Sequence, residues 1–256
     1  VRDYTNEHID KYKEKFSKTV EITNDNGRKE KYSRLPNGDK DGLYEEWNNN
    51  GQLCVRCNYM NGKLHGPYWY IDGNLSVKCF YDNGCRDGVF QQWHPNGNLE
   101  KECAYLKGKA HGVFRKWYED GKLQIQCNYV NGDIDGLYQE WYRNEQLWNE
   151  FFYVNGKREG TCQTFYEDGK LEIQCNYVNG KLNGLDQEWH YNGTLSIQCH
   201  YINGQLDGLY KNWYINGQLR SKYSYLNGRY HGSFQYWNIY GNLITQCNYV
   251  NGKLVT

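Results

Sequence analysis

Gly136-Leu137-Tyr138-Gln139-Glu140-Trp141 is the stretch on which the reading of this chain turns. A glycine in the same setting recurs at Gly42, Gly66, Gly88, Gly112, Gly136, Gly160, Gly184, Gly208 and Gly232. Seven of the eight intervals are 24 residues and one is 22. A fixed period of this size marks a repeat array rather than one folded core. In such an array each unit contacts only its neighbours.

Outward from each glycine the unit reads as two strands. In the second, Leu123, Ile125, Cys127 and Tyr129 alternate with Gln124, Gln126 and Asn128. The same pattern appears at Leu53-Val55-Cys57-Tyr59, Leu171-Ile173-Cys175-Tyr177 and Leu195-Ile197-Cys199-Tyr201. Period-two alternation is that of a strand with one apolar and one polar face. The first strand ends on a tryptophan, as at Trp47, Trp93, Trp117, Trp141, Trp189, Trp213 and Trp237. Pro95-Asn96-Gly97 fits a type I turn closed by a glycine bulge. A three-residue loop of that kind predicts Trp93 opposite Leu99 and Val89 opposite Cys103, gathering Trp, Leu, Cys and Tyr on one face. Tyr44, Tyr68, Phe90, Phe114, Tyr138, Tyr210 and Phe234 then fall on the other, near Leu64, Leu182 and Leu206. The second turn, as in Val130-Asn131-Gly132, reads as the same kind.

The predicted fold is all-β: an elongated, single-layer antiparallel meander of tandem β-hairpin repeats, coiled into a twisted ribbon by the right-handed twist of strands. The array covers 23–256, as half a repeat plus nine units. Residues 1–22 do not fit the repeat and read as an N-terminal cap or tail. Thr5 or Asn6 would cap a short helix there, with Ile9, Tyr12 and Phe16 on one face. The short second unit, Trp69-Tyr70-Ile71-Asp72-Gly73, predicts a local kink.

Composition agrees with a thin structure. Only 38% of the 256 residues are hydrophobic, yet 17% are aromatic, with 26 Tyr and 9 Trp. Aliphatic material is too sparse for a deep core, and large amphipathic rings must supply the cover. The 30 acidic and 30 basic residues cancel, which argues against phosphate-driven nucleic-acid binding. No apolar run reaches the length of a transmembrane helix, and no secretory signal opens the chain. It begins at Val1 rather than Met, which leaves room for a preceding segment. Of the 10 cysteines, Cys57, Cys79, Cys103, Cys127, Cys175, Cys199 and Cys247 hold equivalent places. Equivalent residues lie two strands apart, about 10 Å, beyond the roughly 7 Å that a disulfide spans. The thiols are therefore expected to be reduced, in an intracellular, cytoplasmic protein.

Catalysis needs unlike groups converging in a pocket. Here polar residues form ladders of like kind, such as Gln126, Gln174, Gln198 and Gln246. Cys54-Val55-Arg56-Cys57 has the C-x-x-C form, but in a strand its two thiols face opposite ways. Cys57 with His65, and Cys103 with His111, are candidate thiolate–imidazole pairs across the second turn. That place holds Asp87, Asp135, Glu159, Asn183 and Asp207 in other units, so it calls for a polar group rather than a base. No metal site, cofactor or phosphate loop is expected.

From Tyr177 to Leu195 the chain reads Tyr-Val-Asn-Gly-Lys-Leu-x-Gly-Leu-x-x-x-Trp-x-x-Asn-Gly-x-Leu. This string resembles the MORN repeat variant, which also occurs in YwqK-type antitoxin-like proteins of bacteria and in many proteins of large DNA viruses. The resemblance covers about residues 26–256. It implies an extended β-hairpin scaffold that binds proteins, in some cases membranes or phospholipids, with no shared catalytic residues. The choline-binding repeat of cell-wall proteins is also aromatic and Asn-Gly-rich, but its period is shorter.

Departures from the repeat are the candidate sites. Glu145 replaces a turn glycine at a place that favours positive φ. Trp148 and Phe152 put large rings where other units carry Gln and Asn, and Phe80 does the same in the second unit. Cys162 and Phe165 replace Tyr and Trp, and Asp186 replaces Tyr. Trp148, Phe152, Glu145 and Phe80 are thus the expected partner-binding residues, as exposed aromatic anchors. The expected function is a non-enzymatic scaffold for protein–protein interaction, including self-association. A phospholipid or membrane-surface module, a glycan binder, and an antitoxin-like binder of one specific protein are the alternatives.

Overall fold

The computed structural model describes residues 17–255, all of them outside helices, with 27 strand segments. The expected helix over Ile9, Tyr12 and Phe16 lies outside the described residues. The first strand, Lys18–Thr23, pairs with Lys29–Arg34, so pairing starts ahead of the boundary expected at residue 23.

The chain divides into two compact units, up to Lys122 and from Leu123. Each is an antiparallel meander in sequence order. In the first, Lys40–Trp47 pairs with Leu53–Met60, that strand with Lys63–Asp72, and that one with Asn74–Asp82. In the second, Gly136–Trp141 pairs with Leu147–Val154, Gly160–Phe165 with Leu171–Val178, and Gly184–Trp189 with Leu195–Ile202.

Register is set by two irregularities per unit. Trp93 does face Leu99, as the turn predicts, but the ladder then slips between Trp93 and Gln92, so that Phe90 meets Cys103 and Val89 meets Ala104. The predicted pairing of Val89 with Cys103 is thereby overturned. A bulge places one extra residue in the second strand, next to the turn, and every side chain beyond it changes partner. The same slip recurs at Trp47, Trp141, Trp189, Trp213 and Trp237. Cysteine therefore shares a face with the first-strand Tyr or Phe, as in Tyr44↔Cys57, Tyr68↔Cys79 and Phe234↔Cys247. Tryptophan stands three residues from that ring on an extended strand, so the two point to opposite faces.

The second irregularity is at the repeat glycine. Between Tyr129↔Ile134 and Gln126↔Gln139 the glycine strand carries two extra residues. Gly136 takes φ 95° and Gly208 φ 90°, a backbone that L side chains rarely adopt. These glycines are thus inside a strand and not in a turn. Each lies opposite a tyrosine, as in Gly42↔Tyr59, Gly88↔Tyr105 and Gly136↔Tyr153. Where the first strand carries a ring, the tyrosine meets it edge-on, as Tyr44–Tyr59 at 5.7 Å and Tyr138–Tyr153 at 5.9 Å between centroids. The core is this single row of rings and thiols: Tyr44, Cys57, Cys79, Phe90, Cys103, Cys175 and Cys199 are all buried.

The two turns differ, contrary to the sequence reading. Around Pro95 the loop is the three-residue one expected, 95–97, closed by His94 N to Asn98 O and Gly97 N to His94 O, with Gly97 at φ 88°. At Asn131-Gly132 a two-residue turn joins Val130 to Asp133, with φ positive at both residues (55° and 99°). That is the tight hairpin geometry that Asn-Gly favours. The short second unit keeps its strand pairing. Gly73 alone joins Asp72 to Asn74, so the missing residues come out of the turn.

Within each compact unit, neighbouring repeats are laced at both edges. Where the residue before the repeat glycine is an acid or Asn183, it accepts from the turn that follows in the chain: Asp41 Oδ1 from Asn61 N at 2.9 Å, Glu159 Oε2 from Asn179 N at 2.7 Å, Asp207 Oδ2 from Asn227 N at 2.9 Å; His65, His111 and His231 make no such bond through Nδ1. The following glycine N–H donates to the same neighbour, as from Gly84 to Leu64 O at 2.7 Å. At the tryptophan edge Asn96 Nδ2 donates to Glu119 O and Tyr166 Oη to Trp189 O, at 2.7 and 2.6 Å. Backbone groups at both turns, otherwise left to water, are paired in this way.

A Cβ at Gly208 would meet nothing within 4 Å, so Gly208→Ala isolates the backbone term. Urea unfolding of this variant is expected to show a loss of about 1–2 kcal/mol. An unchanged midpoint would contradict the left-handed backbone there.

Candidate interaction surface

On the face opposite the cysteines, the residue after each repeat glycine stands across from a residue of the second strand. In the first unit these pairs are Leu43↔Asn58, Pro67↔Phe80 and Val89↔Ala104. In the second they are Leu137↔Phe152, Leu185↔His200 and Leu209↔Ser224. Pro67, Phe80, Val89 and Ala104 occupy successive strands and make a continuous apolar row. Phe80 is 45% exposed, Val89 52%, Phe152 46% and Leu137 46%. Scattered exposed apolar residues are ordinary, but an ordered row is the mark of a contact surface. Beside it runs a polar row in which Gln91 donates to Glu102 and Gln139 to Glu150, both at 2.7 Å.

The four residues singled out in the sequence do not converge. Phe80 and Phe152 both join the apolar row, each in its own unit. Trp148 is the extra residue of a bulge, between Trp141↔Leu147 and Glu140↔Asn149. Its ring packs on Tyr142, 5.5 Å between centroids, and not on Phe152, four residues and about 13 Å along the strand. Glu145 takes the turn-glycine conformation at φ 70°, the strained backbone expected of that substitution. The row partners Pro67, Val89 and Leu137 were missed by the sequence reading. The signal was the apolar residue following the repeat glycine, as at Leu43, Val89, Val113, Leu137, Leu185 and Leu209. The wrong register had placed these residues with the cysteines.

The candidate nucleophiles do not form. Cys57 faces Tyr44 and Tyr68, while His65 Nδ1 lies 3.2 Å from Asp82 Oδ1. Cys103 faces Phe90 and Phe114. Burial pushes the Cys57 thiol up to about 12 and raises that of Cys103 as well. A nucleophilic cysteine needs the reverse shift.

One cysteine expectation is corrected. Cys162 and Cys175 are bonded, with Cα atoms 5.4 Å apart. The distance argument held for equivalent cysteines two strands apart. Cys162 replaces the first-strand ring, so it stands directly across from Cys175, within disulfide reach. The strand beyond carries Asp186, opposite Cys199 and only 7% exposed, in the place of a tyrosine. Asp186 Oδ1 has no hydrogen-bond partner. Asn149, also buried, donates to Glu140 and accepts from Thr164. Burial, and then the neighbouring Glu188, push the Asp186 carboxyl up to about 6.

A carboxyl with a raised folded pKa favours the proton-bound native state. Its burial costs nothing while both states are protonated, and the cost grows from about pH 4 until the native carboxyl ionises near pH 6. Relative to Asp186→Asn, wild-type stability should fall over that window by at most about 3 kcal/mol. Denaturation of both proteins from pH 4 to pH 7 reads the difference, and a pH-independent gap would refute the assignment.

Among the described residues no helix is long and apolar enough to cross a membrane, and no group of three or more His, Cys, Asp or Glu residues is placed to hold a metal ion. No curated protein is significantly similar to the chain. The family model described as MORN repeat variant matches six segments of 22 residues: 40–61, 86–107, 110–131, 134–155, 158–179 and 206–227. Together these cover just over half the sequence and share the glycine, aromatic and turn positions on which the register depends. The chain belongs to the MORN repeat variant family.

Proposed function

We propose that this array is a non-enzymatic scaffold that binds protein partners through the exposed apolar row of its non-cysteine face. MORN repeats are in general associated with protein- or membrane-binding scaffolds, and the row is the observation that carries the choice of protein. Pro67, Phe80, Val89 and Ala104 in one unit, and Leu137 with Phe152 in the other, offer flat apolar contacts bordered by amide and carboxylate groups. That is the composition of a protein interface, apolar at the centre and polar at the rim. Phe80 and Phe152 are the aromatic anchors; Trp148 and Glu145 lie at the tryptophan edge and act as rim contacts. The ladders of like polar groups, and thiols whose burial keeps them protonated, support the absence of catalysis. Buried thiols at Cys57, Cys79, Cys103 and Cys199 support an intracellular setting, with the Cys162–Cys175 bond as the exception.

Phe80→Asn with Phe152→Asn gives both sites the commonest residue at that place, as at Asn58, Asn128, Asn176 and Asn248. Crosslinking from the native source is expected to recover at least one protein with the wild type and to lose it, or about tenfold of its signal, with the double variant. Equal recovery by both chains removes the apolar row from the reading. Binding to phospholipid vesicles with no recovered protein would favour a membrane surface.

A further inference from the structure

The polar row beside the apolar one contains an anomaly. In most hairpins its cross-strand partners are neutral amides, an amide with an acid, or opposite charges: Glu45↔Arg56, Gln91↔Glu102, Gln139↔Glu150, Gln163↔Gln174, Gln187↔Gln198 and Gln235↔Gln246. In one hairpin Lys211 stands opposite Lys222. Like charges directly across a ladder are destabilising. Neighbouring strands bring no relief, because Lys211 is followed outward by Gln198 and Lys222 by Gln235. The strands Leu195–Ile202, Gly208–Trp213, Leu219–Leu226 and Gly232–Trp237 contain no acidic residue. Asp207 is the single acid between Leu195 and Val255, and its carboxylate is engaged by Asn227 N.

Beside the two lysines is a shallow pocket of about 200 Å³, lined by Leu185, Gln198, Cys199, His200, Leu209 and Lys211. Leu209, an apolar wall of the pocket, and Lys211, its charged wall, are two residues apart on one strand, so their Cα atoms are about 7 Å apart. That is also the spacing of same-face side chains in an extended ligand. Paired residues on adjacent strands have Cα atoms about 4.5–5.5 Å apart, which lets one carboxylate reach both ammonium groups.

We propose that this patch binds an extended acidic segment of a protein partner, in which a branched apolar side chain enters the pocket and an aspartate or glutamate two residues away bridges Lys211 and Lys222. The inference rests on the protein-binding reading above but uses none of the residues tested there. It also accounts for the unfavourable Lys–Lys pair, since a binding site tolerates local destabilisation that its ligand relieves.

The test uses Lys211→Gln with Lys222→Gln, which restores the amide pair of the adjacent hairpins. The probe is a short serine–threonine peptide with one leucine and, two residues on, one glutamate; a second peptide has glutamine there. Calorimetric titration of the wild type is expected to show the glutamate peptide binding about tenfold tighter than the glutamine one at low salt. The preference should shrink as salt is raised. The double variant should lose the preference and unfold at a higher denaturant concentration than the wild type. Equal binding of the two peptides by the wild type, or a preference retained in the variant, overturns the proposal. So does wild-type binding to anionic phospholipid vesicles with no response to either peptide. A chain that captures a partner through Phe80 and Phe152 yet shows no peptide preference overturns this inference alone and leaves the scaffold reading standing.

Discussion

Everything in this structure depends on a glycine lying across a strand from a tyrosine. The glycine takes a left-handed backbone inside a strand, where a side chain would be strained. The tyrosine covers it, as in Gly136↔Tyr153, and its ring meets the ring two residues beyond the glycine. One contact thereby fixes the register, covers a weak point of the sheet and supplies a unit of core. Repetition does the rest, because successive repeats offer a carbonyl to the next turn glycine and, where the residue before the repeat glycine is acidic, a carboxylate to the same turn. A sheet with so few aliphatic residues holds together because these ties recur in each unit rather than because any one is strong.

The strictness of that arrangement makes its exceptions informative. Between Phe151 and Tyr210 the two first-strand rings of the row are replaced, by Cys162 opposite Cys175 and by Asp186 opposite Cys199. The disulfide closes the first of these gaps covalently, between positions 13 apart in the sequence. A loop of that size is stabilised by about 3 kcal/mol on the chain-entropy account. Asp186 leaves the second gap polar and unsatisfied, which is a cost. These substitutions lie on the buried face and bear on stability, whereas Phe80, Phe152, Lys211 and Lys222 lie on the open face and bear on recognition.

The two faces thus divide the work. The cysteine face is closed by its own rings, with Arg86 and Arg158 lying over Phe90 and Phe151 at 4.7 and 4.0 Å. The opposite face keeps its apolar row in solvent and sets most of its charges against amides or opposite charges, whereas Lys211 and Lys222 meet each other. A partner that reads this face meets an apolar stripe and, in the last units, an excess of positive charge that the neutral total conceals.

The period, the strands, the turn glycines and the strained Glu145 were all legible in the sequence, because alternation and Asn-Gly chemistry are local. Which residues share a face was not. The bulge at each tryptophan moves one residue, and a one-residue slip exchanges the partners of a whole strand. His65 was matched with a cysteine it does not meet because its Asn-Gly turn holds two residues and not three; the tryptophan bulge is why Val89 and Leu137 were assigned to the wrong face and the apolar row went unseen. The Cys162–Cys175 bond was hidden for the same cause, since it joins unlike positions of one unit that only the true register sets side by side. Local chemistry decided what each segment is, while pairing across strands, a property of no single segment, decided what each side chain faces.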